Sequence, residues 1–210
     1  MKKFFVTGTD TDCGKTYITA SILDYLPSSA AIKPIASGCI REGELLIKAD
    51  ALLLTKRDYL RPDTINPWAF EKAVSPHIAA AREGRQININ KIIQYCEGLK
   101  LPQAEYLFIE GAGGLLVPLN EEETWVDFLI EYKIPVILVV GMKLGCLNHA
   151  LLTDAVLNRY GITPAGWIAN CLDPYMLELN ANIETLKKKL SMPLLDVVAY
   201  QGKISQLQGW

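Results

Sequence analysis

The sequence is poor in the residues that build metal centres and covalent frameworks. Histidine occurs twice, at His77 and His149, and neither has a metal-ligand pattern around it. The five cysteines, Cys13, Cys39, Cys96, Cys146 and Cys171, are odd in number, scattered and without a CxxC pair. That argues against a disulfide scaffold and against a structural zinc site. Charge of one sign is also lacking. The 21 basic and 23 acidic residues leave a formal charge of −2, so there is no general electrostatic footprint for nucleic acid. The aromatic residues, among them Trp68, Trp125, Trp167 and Trp210, are not interleaved with basic ones in the manner of RNA-binding surfaces. No apolar run reaches the roughly 18 residues that a membrane-spanning helix requires. The early run Phe4-Phe5-Val6 stops far short of a secretion signal. With 15 glycines and 11 prolines in 210 residues, the chain is not of disordered or fibrous type. No repeat or flexible linker divides it. These absences predict one domain over residues 1–210, in the reducing cytoplasm, with neither a membrane nor a nucleic acid as partner.

What is present is an alternation of short apolar runs and longer amphipathic stretches. The runs predict strands at 3–7, 30–33, 106–110, 135–140, 166–169 and 194–199. Helical patterns fall at 15–26, 49–54, 75–83, 89–97, 125–131, 148–160 and 177–190. Most strand candidates are continuously apolar rather than alternating, as expected of strands covered on both faces. The β-α-β order predicts a doubly wound α/β fold, a mostly parallel sheet with helices on both faces. Polar and glycine-rich segments follow the strands, as in Gly8-Thr9-Asp10-Thr11, Pro34-Ile35-Ala36-Ser37-Gly38 and Glu110-Gly111-Ala112-Gly113-Gly114. Ligands of such sheets bind beyond the carboxyl ends of the strands.

Gly8-Thr9-Asp10-Thr11-Asp12-Cys13-Gly14-Lys15-Thr16 joins the first strand to the first helix. It ends in the Gly-Lys-Thr of a P-loop, with the leading glycine one residue early. Such a loop offers backbone N–H groups and a helix N-terminus to phosphate oxygens. Lys15 adds a full charge at the β- and γ-phosphates, and the Thr16 hydroxyl is a ligand for Mg²⁺. The spacing excludes a dinucleotide fingerprint. Glu110, closing an apolar strand and opening a glycine-rich turn, is a second candidate for the metal. Lys33, at the end of the second strand, reads either as a surface lysine or as a second cation at the ligand edge. Asp50 reads as a metal ligand or a solvated helix residue. Cys13 reads as a small loop-filling residue rather than a nucleophile, since phosphate chemistry needs none.

Further segments stand in one order along nearly the whole chain: Lys33-Pro34-Ile35-Ala36-Ser37-Gly38, Asn66-Pro67, Ser75-Pro76-His77, Glu110-Gly111-Ala112-Gly113-Gly114, Lys143-Leu144-Gly145-Cys146, Asn148-His149-Ala150 and Gly166-Trp167-Ile168-Ala169-Asn170. With the phosphate loop they resemble the dethiobiotin synthetases, P-loop ligases of biotin synthesis. The shifted leading glycine fits that family's loop. The resemblance implies a reaction in which ATP, CO₂ and 7,8-diaminopelargonic acid give dethiobiotin, ADP and phosphate, with Mg²⁺ as cofactor. It implies that Thr16, Asp50 and Glu110 share the metal. Lys33, Lys15, Thr11 and Asp12 would act at the reacting groups, and Ser37 would orient the substrate. The nucleotide is expected against Asp12, Cys13, Gly14, Lys15, Thr16 and Tyr17, then Asp50, Glu110-Gly111-Ala112-Gly113, Asn170-Cys171 and Val198-Ala199-Tyr200. Gly145-Cys146-Leu147-Asn148, opening a helix, would capture the substrate carboxylate for the other subunit of a homodimer. Asp12 stands where the family often has glutamate, and Val198 where it often has proline. Two other readings accompany this one: another P-loop amide- or carbamate-forming ligase, and an ATP-switched dimer of the partitioning type. The latter usually carries a second lysine where this chain has Asp10.

Overall fold

The computed structural model describes residues 1–56 and 60–208. Its centre is a six-stranded sheet in the order β10-β9-β8-β1-β7-β2. The strands are β1 (Lys2–Gly8), β2 (Ser29–Ile32), β7 (Tyr106–Glu110), β8 (Val136–Met142), β9 (Pro164–Cys171) and β10 (Leu194–Val198). Every pairing in it is parallel. The chain moves from β1 outward to β2, returns to β7, then crosses to β8 and on to β10. With right-handed crossovers, the two directions of travel place the connecting helices on opposite faces. The doubly wound reading is therefore the observed architecture. Strands β2 and β8 are buried at every position, which accounts for their unbroken apolar runs.

The helices are α1 (Lys15–Tyr25), α2 (Ala49–Leu54), α3 (Pro62–Ile65), α4 (Pro76–Arg82), α5 (Ile89–Gly98), α6 (Trp125–Tyr132), α7 (Cys146–Arg159) and α8 (Leu179–Lys189). On one face Phe5 packs against Trp125 and Phe128, with ring centroids 5.1 and 5.6 Å away. All three side chains are fully buried. Thr124 and Asp127 close a reciprocal capping box at the start of α6, which sets where Trp125 enters the core.

Several boundaries differ from the sequence expectation. The second strand ends at Ile32, so Lys33 stands just beyond it. Strand β9 runs on to Cys171 and carries Asn170 inside the sheet. Helix α7 begins two residues before the expected 148, because Gly145 turns the chain with φ 93°. Helix α8 begins at Leu179, since Glu178 holds a left-handed conformation. Four short strands were not expected. β3 (Ile35–Ser37) pairs with β6 (Trp68–Phe70), and β4 (Ile40–Glu42) pairs with β5 (Leu45–Ile47) as a hairpin. They follow β2 and occupy the region that sequence punctuation marks as loop.

Candidate active site

At the carboxyl edge of the sheet lies a cavity of about 750 Å³. Its floor is set by strand register. Ile32 of β2 pairs with Ile109 of β7, so the next residues, Lys33 and Glu110, emerge side by side. The Lys33 ammonium lies 2.9 Å from Glu110 Oε1 and 2.5 Å from Asp50 Oδ2, and it donates to Thr16 Oγ1 at 3.2 Å. Thr16 in turn donates to Glu110 Oε1 at 2.5 Å. Four residues from separate elements thus meet at one point. Burial works to lower the Lys33 pKa, but the Glu110 and Asp50 carboxylates outweigh it and hold the ammonium above its usual 10.5. The lysine is a fixed cation.

Glu110 is fully buried, and its Oε2 has no hydrogen-bond partner among the described residues. A buried carboxylate oxygen left in that state is costly unless something else binds it. Together with the Asp50 carboxylate and the Thr16 hydroxyl it forms a set of hard oxygen donors, which suits Mg²⁺. Among the described residues there is no cluster of three or more His, Cys, Asp or Glu side chains arranged for a metal. The fit rests on two carboxylates and a hydroxyl.

The phosphate loop arches above this point. Gly14 caps α1 with φ 86°, and a Cβ there would come within 2.1 Å of the Asn170 amide nitrogen. That amide donates to the Cys13 carbonyl at 2.9 Å, so β9 clamps the loop from beneath. The early leading glycine also has a physical reason: a Cβ on Gly8 would lie 2.1 Å from Cys13 Sγ. The Cys13 thiol fills that space and is fully buried. Lys15 is buried too, its ammonium donating to the Asp10 carbonyl at 2.7 Å. Asp10 pairs with Lys143 at 2.5 Å. Burial acts to raise the Asp10 carboxyl, but the hydrogen bond and charge of Lys143 prevail and hold it below 3.8.

Of the residues expected at the site, Thr11, Asp12, Gly14, Lys15, Thr16, Tyr17, Lys33, Ser37, Asp50, Glu110, Ala112 and Gly113 all line this cavity. Others lie elsewhere. Cys13 sits beneath the loop. A Cβ on Gly111 would lie 2.6 Å from the Phe5 ring, so that glycine faces the core. Asn170, Cys171 and Val198 are buried at the ends of β9 and β10. Ala199 and Tyr200 follow β10, close to the point where the Tyr17 hydroxyl donates to the Gly202 carbonyl at 2.5 Å. Gly145, Cys146, Leu147 and Asn148 form the start of α7 and do not line the cavity of their own chain. Sequence reasoning missed Lys48, whose side chain reaches the cavity from the residue before α2. It gave no role to Ser75 and Pro76, which also line it.

Comparison with known proteins extends this geometry. A family model described as an AAA domain matches residues 2–208. An ATP-dependent dethiobiotin synthetase of Legionella pneumophila strain Corby is 56% identical over 207 residues, covering 99% of this chain and 98% of that one. One from Pseudoalteromonas translucida is 44% identical, covering 99% and 94%. One from Yersinia pestis is 39% identical, covering 98% and 88%. Among solved structures, the MinC:MinD cell division complex of Aquifex aeolicus aligns with TM-score 0.56 at 12% identity, over 96% of this chain and 82% of that one. A ParA family ATPase of Chlorobium tepidum aligns with TM-score 0.55 at 13% identity, over 95% and 84%. At such identities the structural likeness concerns the P-loop fold alone.

Proposed function

This chain belongs to the ATP-dependent dethiobiotin synthetases, ligases that form carbon–nitrogen bonds, and we propose that its cavity joins CO₂ to 7,8-diaminopelargonic acid through a carbamate and a carbamoyl-phosphate. In this scheme one amine attacks CO₂ and loses a proton, giving a carbamate. A carbamate oxygen attacks the γ-phosphorus of ATP and ADP leaves. The second amine then attacks the carbamoyl carbon, and phosphate departs as the ureido ring closes.

The observation that carries this reading is the Lys33 ammonium, held among Thr16, Asp50 and Glu110 at the mouth of the phosphate loop. The carbamate and the γ-phosphate are both anions, and their approach is opposed by charge. Fixed cations in a partly dry site counter that repulsion strongly. In this scheme Lys15 meets the β- and γ-phosphates and Lys33 meets the oxygens between carbamate and phosphorus. Thr11 and Ser37 supply hydroxyls to orient the carbamate and the diamine, and Asp12 lies on the same cavity wall. Mg²⁺, where bound, would be held by Thr16, Asp50 and Glu110 and would offset charge on the nucleotide phosphates.

The α7 N-terminus, with Gly145, Cys146, Leu147 and Asn148, does not line its own chain's cavity. The Cys146 N–H donates to the Lys143 carbonyl, and a helix N-terminus of this kind suits a carboxylate. We assign it to the diamine carboxylate of a partner subunit in a homodimer. Asn170, Cys171 and the backbone of Val198, Ala199 and Tyr200 are assigned to the adenine side. Residues 1–210 form one domain in this reading, with a buried cluster running from Phe5 to Leu207.

The test is a defined mixture of protein, ATP, Mg²⁺, bicarbonate and 7,8-diaminopelargonic acid, searched for dethiobiotin by mass spectrometry. Product is expected only in the complete mixture. ATP turnover at full rate without the diamine would overturn the reading.

A further inference from the structure

Lys48 enters the cavity from a direction that neither the P-loop pattern nor the strand ends predict. It precedes α2, two residues from Asp50, and it closes the base of the β4–β5 hairpin. Its ammonium donates to the carbonyl oxygens of Ser37 at 2.8 Å and Gly38 at 3.3 Å. These are its acceptors among the described residues. Gly38 has φ 70°, and a Cβ there would lie 3.1 Å from Lys48 Nζ. The left-handed turn brings two successive carbonyls to one ammonium at a place where a side chain would crowd it. The opposite flank of this segment is held by backbone: Gly38 N–H donates to the Lys72 carbonyl and Cys39 N–H to that of Phe70.

Ser37 and Asp50 lie on opposite strands of chain leading into and out of the hairpin. β4 is exposed at all three residues, and only Leu46 of β5 packs against the small cluster of Ala36, Cys39 and Ala69. Ile35 on one side and Ala51 on the other tie the two segments to the main core, but the hairpin between them adds little apolar burial. The Lys48 hydrogen bonds are thus a direct side-chain link between the Ser37 edge and the segment bearing Asp50. We propose that Lys48 is a positioning residue: its two hydrogen bonds fix the Ser37 edge against the segment bearing Asp50, and so set the substrate side of the cavity against the Lys33 cluster. The inference rests on the reaction assigned above. Geometric slack at reacting groups is expensive, since a displacement of about 1 Å can cost on the order of a hundredfold in rate.

The test compares Lys48→Met and Lys48→Arg with the unaltered protein, using 7,8-diaminopelargonic acid, MgATP and bicarbonate. The methionine keeps the aliphatic stem and removes the donors. It is expected to raise KM for the diamine about tenfold, while the affinity for ATP, measured by titration calorimetry, stays within about twofold because the phosphate loop is untouched. The arginine variant, which keeps a cation and donors, is expected to recover most of the loss. A methionine variant that melts earlier but retains the original KM would show a merely structural clasp and overturn the assignment. Equal loss in both variants would also overturn it. Absence of dethiobiotin with the unaltered protein would instead overturn the reaction itself, so the two failures are distinct.

Discussion

The two sides of the cavity are built on different foundations. The phosphate side hangs from β1, β2 and β7, with Phe5, Phe108, Trp125 and Phe128 fully buried beneath it. There Lys33 and Glu110 are separated by a strand-ladder spacing and Asn170 clamps the loop. The Ser37 side rests on two-stranded pieces of three residues each, which join the same core through Ile35 and Phe70. It is supplemented by a small cluster of Ala36, Cys39 and Ala69 and by the hydrogen bonds of Lys48. Lys33 and Glu110 stand on a continuous core. The Ser37 side meets that core at fewer points and leans on polar contacts as well. Rigidity is therefore concentrated where electrostatics demands it, because preorganised charge works only if it does not move.

That contrast can be attacked at several points. On the phosphate side, Lys33→Ala is expected to lower dethiobiotin formation by at least about a thousandfold, with ATP still binding through Lys15 and the loop. Product formation near the original rate would refute the role of Lys33. In the core beneath, Phe128→Ala should cost about 3–5 kcal/mol in urea unfolding, whereas Leu46→Ala under the substrate side should cost about 1–2 kcal/mol. Equal losses would erase the distinction between the two foundations. At the α7 N-terminus, Gly145→Asp should bind the diamine about three- to tenfold more weakly than Gly145→Asn. The two variants share shape and backbone strain, so indistinguishable KM values would remove the carboxylate site from α7.

The smallest effect concerns the Asp10–Lys143 pair. Because the folded Asp10 carboxyl lies below 3.8, its contribution to stability is complete above that value and disappears as pH falls through the folded pKa. Lys143→Met should therefore cost about 0.5–1 kcal/mol near neutrality, and the gap from the original protein should narrow towards acid. A gap constant from about pH 6 to pH 3 would show that Lys143 acts through something other than this charge.

Legibility in the sequence followed the same division. The six central strands were readable because burial on both faces leaves continuous apolar runs, as in Val136–Met142. The phosphate loop was readable because its chemistry needs fixed residue types at fixed spacing. The four short strands were not, since three residues carry no periodicity and Ile35–Ser37 is embedded among Pro34 and Gly38. From residues alone, Asp50 reads as a metal ligand or a solvated helix residue; the resemblance to a family singles it out. Lys48 escaped because its contacts depend on a hairpin closing, which no local pattern announces. Asn170 is expected near the base, and its amide donates to the Cys13 carbonyl, a long-range meeting of β9 with the loop that no local pattern announces.

The adjacency of Lys33 and Glu110 ties the cavity to strand register. Both are the first residues past the paired rung Ile32–Ile109, and side chains alternate faces along a strand. A slip of one residue between β2 and β7 would turn one of them to the other face of the sheet. A chain with that slip would lose the Lys33–Glu110 pair. Under the proposed reaction, turnover per mole of protein would then report how fully β2 is paired in register at the edge of the sheet.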